Sequence, residues 1–204
     1  MSTTTKTPYF YAINRNVPSS TQVVHVFDID DTLTIKPDGF QNVGLTANEY
    51  FDAAHHFDAD AEVAGMLHLL RSFGDSIAIC TSRPVQRLRQ SYEWLQRNGI
   101  PFDILLASTG KDTSSSTKQR MFHMLFDQYA DIGTFVDDSP FNIAGAQLHG
   151  INCVHVRKND DYWATHPEEV VLIKSQYWEN LCILNYGVLT GRCATYKRAE
   201  DRCM

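Results

Sequence analysis

The sequence predicts an α/β fold, a Rossmann-like three-layer sandwich around a mainly parallel sheet of five strands. Three observations support this prediction. Short β-branched apolar runs alternate with segments of helical periodicity, and several of the runs end abruptly in acidic or hydroxyl residues. The chain has 204 residues, enough to bury one sizeable core. Strands that alternate with helices make right-handed crossovers, so the sheet should have helices on both faces.

Five apolar runs have the length and composition of buried strands. The first, Val23 to Phe27, ends directly in an acidic cluster. The other four, in chain order, are Ser76 to Cys80, Asp103 to Leu106, Thr134 to Val136 and Asn152 to Val156. Each run is short and is bounded by turn or polar residues, so we expect all five to lie in one sheet.

Four segments between these strands have the apolar spacing of helices. In chain order they cover residues 63–73, 84–98, 115–129 and 139–149. Pro84 suits the first position of the second helix, and Gly99 suits a left-handed cap after its end. Ser139 and Pro140 provide a similar start for the fourth helix.

The two ends of the chain lack this alternation. Residues 1–21 are polar and aperiodic, which predicts a mobile or loosely docked arm, so the predicted catalytic domain covers residues 22–160. Residues 161–204 form a predicted helical tail with a short helix from Pro167 to Leu184. Its aromatic residues are costly to leave in water, so the tail should pack on the domain or on a second copy in a homo-oligomer.

Composition excludes several classes of protein. Hydrophobic residues make up 43% and charged residues 21%, as in globular domains. The net charge of −6 gives no strong basic field for long nucleic acid, although local basic patches remain possible. No apolar run reaches the roughly 18 residues of a membrane helix, and the Thr-rich start lacks a signal-peptide core, so we expect no membrane partner and a cytoplasmic protein. The 5 cysteines include no CxxC pair, which favours free thiols.

Chemistry-bearing residues follow three of the predicted strands. The first strand is followed by Asp28-Ile29-Asp30-Asp31-Thr32, the second by Thr81-Ser82-Arg83 and the fourth by Asp137-Asp138-Ser139. Ligands of open parallel sheets bind beyond the carboxyl ends of the strands, so these residues should meet at one edge. Several carboxylates in one place need a cation, and Mg²⁺ accepts oxygen ligands and binds phosphate oxygens.

The expected chemistry is phosphoryl transfer. Asp28 at the strand tip can act as the nucleophile and form an aspartyl-phosphate. Asp30 points to the same side, so it can protonate the leaving oxygen and then activate water. The Thr81 hydroxyl and a lysine would bind the phosphoryl oxygens; Lys118 in the first turn of the third helix is preferred to Lys111 in a loop.

Four segments resemble the motifs of the haloacid dehalogenase (HAD) superfamily. In order, they are VHVFDIDDTLT at Val24–Thr34, IAICTSR at Ile77–Arg83, Lys118, and TFVDDSPFN at Thr134–Asn142. The resemblance covers about residues 22–156 and implies a magnesium-dependent phosphatase of the HAD type. The sequence departs from the pattern at Asn142, where many members carry a second acid.

The resemblance also implies roles for individual residues. Asp28 would be the nucleophile and a metal ligand, and Asp30 the acid/base whose main-chain carbonyl contacts Mg²⁺. Asp138 would bind the ion, helped by Asp137 directly or through water.

The phosphate-binding residues would be Thr81, Ser82, Arg83 and Lys118.

Both intervals that hold cap insertions in this superfamily are short here, which predicts no separate cap domain and an open site. Residues 81–103 are similar to polynucleotide 3′-phosphatases and some nucleotidases, so the expected substrate is a phosphorylated small molecule or a nucleic-acid end.

Several alternatives stay open at this level. The motifs do not separate a phosphatase from a phosphotransferase, and the substrate could be a sugar phosphate or another small metabolite. A binding or regulatory module that keeps the pocket without turnover is a further alternative. Arg87 and Arg89 could guide a polyanion or belong to a solvated helix face, and Tyr50 and Phe51 could stack on a base or pack internally. No GxxxxGK(S/T) loop is present, so no fused kinase is expected.

Overall fold

The computed structural model describes residues 3–16, 18–41, 43–111 and 113–156. In these residues helices cover both faces of a central sheet, and no helix is both long and apolar enough to cross a bilayer. The helix predicted from Pro167 to Leu184, and with it the predicted tail and its oligomer contact, lies outside the described residues.

The sheet has seven strands: β1 Thr3–Lys6, β2 Phe10–Asn14, β3 Val23–Phe27, β6 Ser76–Pro84, β7 Ile104–Ser108, β8 Asp131–Asp137 and β9 Cys153–His155. Their order across the sheet is β1-β2-β7-β6-β3-β8-β9. The five predicted strands form the parallel part, from β7 to β9. The predicted mainly parallel α/β sandwich is therefore confirmed, and β3 lies in the middle of its parallel part.

The N-terminal segment differs from its prediction. Instead of a loosely docked arm, residues 3–14 form a β-hairpin, and β2 pairs antiparallel with β7. Phe10 and Ala12 are 4% and 0% exposed because every second residue of β2 faces the core, whereas Tyr11 and Ile13 are half-buried. The polar composition of this segment reflects its place at the edge of the sheet, where one side of the strand faces water.

The helices form two layers. Their bounds are α1 Ala47–Ala54, α2 Ala61–Ser72, α3 Leu88–Arg97 with a preceding 3₁₀ turn Val85–Arg87, α4 Ser114–Gln128 and α5 Pro140–Gln147. Side chains of α2 and α3 pack with Ile77 and Ile79 of β6, and those of α4 and α5 pack with Ala78 and Cys80. Successive residues of a strand point to opposite faces, so each face has its own core.

The short interval between β3 and α2, predicted to hold no separate cap domain, contains two strands and one helix. Strands β4 (Thr34–Ile35) and β5 (Asp58–Ala59) pair antiparallel and frame α1. Thr46 and Glu49 begin α1 with reciprocal hydrogen bonds between side chain and backbone, a capping box. Trp94 of α3 donates its indole N–H to the carbonyl of Phe57 at 2.9 Å. The insertion is one helix and a two-residue pairing held against α3, so these residues form no separate cap domain.

A buried histidine makes the stability of this fold dependent on pH. His25 of β3 is 1% exposed, and its Nε2 lies 3.3 Å from Asp75 Oδ2. Gly133 of β8 leaves room for the ring, because a Cβ there would lie 2.4 Å from His25 Cε1. Burial lowers the pKa of His25 from its usual 6.5, against the opposing effect of Asp75.

We expect acid to destabilise the protein through this residue. The unfolded chain takes up the proton more readily than the native state, so the stabilisation is complete above pH 6.5 and is lost as the pH falls through the folded pKa. Urea unfolding at pH 7.5 and pH 5.0 measures the loss, which should shrink in His25→Gln. Exposed His68 provides the control, since His68→Gln should keep the full loss. An equal loss in His25→Gln would contradict the assignment.

Candidate active site

The carboxyl ends of β3 and β8 bring three predicted side chains into direct contact. Lys118 of α4 is 1% exposed and donates from Nζ to Asp28 Oδ1 at 2.7 Å. The same Nζ donates to Asp137 Oδ2. Asp28 follows β3 and Asp137 ends β8, which are neighbouring parallel strands. The structure therefore places Lys118 between two buried carboxylates, whereas Lys111 is exposed.

The carboxylates around Lys118 are not fully neutralised by its positive charge. Burial raises the pKa of Asp28 well above its ordinary value, because Lys118 only partly offsets it. Burial also raises the pKa of Asp138 to about 7, with further contributions from Asp137 and Asp31. For Lys118 burial opposes the charge, but Asp137 and Asp28 outweigh it and raise the lysine pKa. One ammonium group thus serves more carboxylates than it can neutralise.

The same carboxylates fit a divalent metal ion. Asp28, Asp137 and Asp138 each offer one oxygen, and these oxygens lie within 4.8 Å of one another. Carboxylate oxygens are the ligands that Mg²⁺ prefers, and the raised pKa values of Asp28 and Asp138 show that additional positive charge would be favourable. The side chain of Asp30 is outside this cluster.

Asp137 has most of its hydrogen-bonding capacity filled. Besides Lys118, it accepts the Ser139 backbone N–H at 2.8 Å and the Asn142 amide at 3.0 and 3.1 Å. Asn142 is the position at which the sequence departs from the HAD pattern. Its amide donates to Asp137 and holds it in place, whereas an acid at this position would repel Asp137. These bonds orient Asp137 and Lys118, and they leave Asp138 as the freer carboxylate.

Arg83, a predicted phosphate-binding residue, forms an ion pair with Asp30. The guanidinium is 1% exposed and binds both oxygens of Asp30, from Nε at 2.8 Å and from a terminal nitrogen at 2.7 Å. Burial opposes its charge, but Asp30 outweighs this and raises the pKa of Arg83. In this structure Arg83 therefore orients Asp30, the predicted acid/base, and its predicted phosphate-binding role stays a prediction.

The remaining predicted phosphate-binding residues, Thr81 and Ser82, lie near the end of β6. Thr81 is fully buried, and its hydroxyl accepts the backbone N–H of Arg83 at 3.1 Å. Ser82 bonds to the Ser114 hydroxyl, which reaches Asn142 Oδ1 at 3.3 Å. The contacts of Ser82 and Ser114 connect the end of β6 to α4 and α5. Through Asn142, Asp137 and Lys118 the network continues to Asp28, so it joins all four motif segments.

The loop after Asp28 turns back sharply. The carbonyl of Ile29 accepts the N–H groups of Leu33 at 2.8 Å and Thr34 at 3.0 Å. Asp31 has a φ of 58°, a left-handed conformation that aspartate tolerates better than most residues. Its carboxylate pairs with Lys36 at 2.8 Å.

Sequence reasoning missed three of the contacts around this site. They are the Lys36–Asp31 pair, the Ser114 link and the Arg83–Asp30 pair. No local pattern signals the last two, because the partners are 32 and 53 residues apart.

Magnesium should stabilise the folded protein through this cluster. A ligand that binds only the native state at a hundredfold excess over its Kd adds about 2.7 kcal/mol. We expect Mg²⁺ to raise the melting temperature relative to EDTA. Asp138→Asn should melt higher than wild type in EDTA, because a half-buried carboxylate that is crowded by Asp137 and Asp31 is neutralised, and it should gain little from Mg²⁺. An equal Mg²⁺ response in both proteins would contradict the metal assignment.

Comparison with known proteins shows similarity at the level of structure. No protein-family model matches the sequence, and no curated protein sequence matches it significantly. A chain of the Pnkp1/Rnl/Hen1 RNA repair complex matches with a TM-score of 0.58 and 16% identity, over 72% of this chain and 46% of the other. A protein from Mesorhizobium loti described as a HAD-like phosphatase matches with a TM-score of 0.56 and 9% identity, over 89% and 96%.

These two matches differ in extent. The chain spans about half the length of the RNA repair chains it matches, and nearly all of the Mesorhizobium loti protein. At these identities the similarity establishes the architecture, and it agrees with the four motifs found in the sequence. The chain therefore has the fold of the HAD-like phosphatases.

Proposed function

We propose that this protein is a magnesium-dependent phosphomonoesterase that works through an aspartyl-phosphate on Asp28. One observation carries the proposal: a buried lysine joins Asp28 to Asp137 beside Asp138, at the carboxyl edge of a HAD-like sheet. A lysine between carboxylates that still lack positive charge is suited to bind a phosphoryl group and a metal ion together.

The reaction has two displacements at phosphorus. In the first, an Asp28 oxygen forms a bond to phosphorus while the bond to the leaving oxygen breaks, and Asp30 gives that oxygen a proton. In the second, Asp30 takes a proton from water, the water oxygen bonds to phosphorus, and the bond to Asp28 breaks. Lys118 and the Thr81 hydroxyl bind oxygens of the transferred group.

A bound Mg²⁺ would be held by Asp28, Asp138 and the main-chain carbonyl of Asp30, with Asp137 binding directly or through water. It supplies positive charge that lets a phosphate dianion approach the carboxylates. The chain itself provides the order of the site, because Asn142 and the Ser139 amide hold Asp137 in place.

The Arg83–Asp30 pair is compatible with the acid/base role. Each oxygen of Asp30 accepts one hydrogen bond from Arg83 and keeps a second lone pair, on which it can carry the transferred proton. The pair keeps Asp30 oriented between turnovers. This orientation is needed because Asp30 acts twice in one cycle, first as an acid and then as a base.

For the substrate, we propose a nucleotide or a 3′-phosphate at a nucleic-acid end. The small insertion around α1 leaves room for a large leaving group, and one structural neighbour belongs to an RNA repair complex. Transfer of the phosphoryl group to an alcohol other than water would use the same residues.

A panel of phosphate esters tests the proposal. It compares nucleoside 5′- and 3′-monophosphates, 3′-phosphorylated oligonucleotides and sugar phosphates, each with Mg²⁺ and with EDTA. We expect phosphate release that needs Mg²⁺ and is fastest with the nucleotide or oligonucleotide compounds. Faster turnover of sugar phosphates would overturn the substrate class, and no release from any ester would overturn the enzyme and favour a binding module.

A further inference from the structure

A groove lies between α1 and the end of β6 and has no role in the mechanism above. Its volume is about 700 Å³, within the range of pockets that hold a small organic ligand. The residues that line it come from α1, from the last residue of β6 and from the helical segment that follows: Asn48, Pro84, Gln86, Arg87, Arg89 and Gln90. Pro84 directly follows Arg83, and Gln86 lies three residues after Arg83, so the Cα atoms of Gln86 and Arg83 are at most about 11 Å apart. The groove therefore begins close to the residue that binds Asp30, the proposed acid/base.

The lining side chains have a consistent chemistry. Gln86, Arg89 and Gln90 are spaced i, i+3 and i+4, which places them on one side of the helical segment, facing Asn48 of α1. Apart from Pro84, all the lining residues carry amide or guanidinium donors. Side-chain amides recognise the edges of bases, and guanidinium groups recognise phosphate.

The two arginines are not equivalent. Arg87 binds both oxygens of Asp52, one of them at 2.9 Å, and it donates to Gln90 Oε1 at 3.0 Å, so it is part of the wall. The side chain of Arg89 is 89% exposed, and within the described residues its ion-pair partner is Glu93 on the same helix, at 2.7 Å. Such a solvent-exposed pair contributes little energy, so Arg89 can exchange Glu93 for an anionic ligand at small cost.

We propose that this groove binds the nucleotide that precedes the phosphorylated end of a single-stranded nucleic acid. Arg89 contacts the phosphodiester of that nucleotide, and the amides of Gln86, Gln90 and Asn48 contact its base. The proposal rests on the phosphatase function and adds a subsite that prefers oligonucleotides to mononucleotides.

The test compares two variants that break the same ion pair from opposite sides. Arg89→Ala removes the guanidinium, and Glu93→Ala removes its partner while leaving the guanidinium in the groove. With a 3′-phosphorylated trinucleotide, Arg89→Ala should raise KM about five- to tenfold, whereas Glu93→Ala should leave KM unchanged or lower it. The dependence of log KM on log salt should fall by about 0.7 in Arg89→Ala alone, as expected for one lost contact to a single strand.

Two further measurements separate the possible failures. With a nucleoside 3′-monophosphate, which has no phosphodiester, Arg89→Ala should match wild type, and Gln86→Ala should raise KM for the trinucleotide. Wild-type turnover of both substrates with no change in Arg89→Ala would overturn the subsite and leave the phosphatase intact. Equal losses in Arg89→Ala and Glu93→Ala would also overturn it, because the ion pair would then act only on helix stability. No turnover of any ester by wild type would instead overturn the phosphatase function.

Discussion

Asp28→Asn should abolish phosphate release while the protein stays folded. An amide cannot serve as the nucleophile, and loss of a nucleophile lowers kcat by about 10⁴-fold or more. Asn keeps the shape of Asp28 and can still accept the hydrogen bond from Lys118. Initial rates at saturating Mg²⁺ measure the effect, and circular dichroism checks the fold.

The control for this variant is another neutralised aspartate far from the site. Asp127 is exposed near the end of α4, and Asp127→Asn changes the net charge by the same amount. We expect it to keep the wild-type rate. Full activity in Asp28→Asn would exclude Asp28 as the nucleophile, and an equal loss in Asp127→Asn would point to an effect of overall charge.

Lys118→Met should strongly destabilise the protein. Methionine keeps the length of the side chain but removes the ammonium group that pairs with Asp28 and Asp137. Removal of one partner from a buried ion pair costs about 3–5 kcal/mol, because the other charge is left buried and unpaired. Urea unfolding in EDTA measures the loss, and added Mg²⁺ should recover part of it by neutralising the same carboxylates.

Lys36→Met provides the matched comparison. Lys36 pairs with Asp31, and both side chains are about one-third exposed, at 32% and 28%. A pair of this kind contributes at most about 1 kcal/mol, so the variant should unfold close to wild type. Similar losses in the two variants would show that Lys118 acts mainly by packing rather than by charge.

The parallel part of the sheet could be predicted from sequence because each of its strands is a compact apolar run. Strand β2 could not, because its pattern is visible only when β7 supplies a partner and divides buried from exposed side chains. Helix α1 does have a local signal, the Thr46–Glu49 capping box. The helix itself is only moderately hydrophobic, so its apolar residues did not indicate a helix.

At the site, the meeting of Asp28, Lys118 and Asp137 follows from their positions at strand ends and near the start of a helix. The position of Arg83 does not follow from these. A buried guanidinium next to a strand end can bind a substrate phosphate or a nearby carboxylate, and only the fold shows that Asp30 is within reach. The structure thus adds the pairing of charges, which depends on contacts between distant parts of the chain.

The N-terminal hairpin has a consequence for chain processing. Strand β7 is buried along its whole length, and β2 is the neighbour that covers its outer side. Proteolytic removal of residues 1–16 would leave a row of unpaired amide and carbonyl groups on an apolar strand, a template for self-association. We expect such a shortened chain to precipitate on heating at concentrations where the intact chain stays dispersed, and light scattering would detect it.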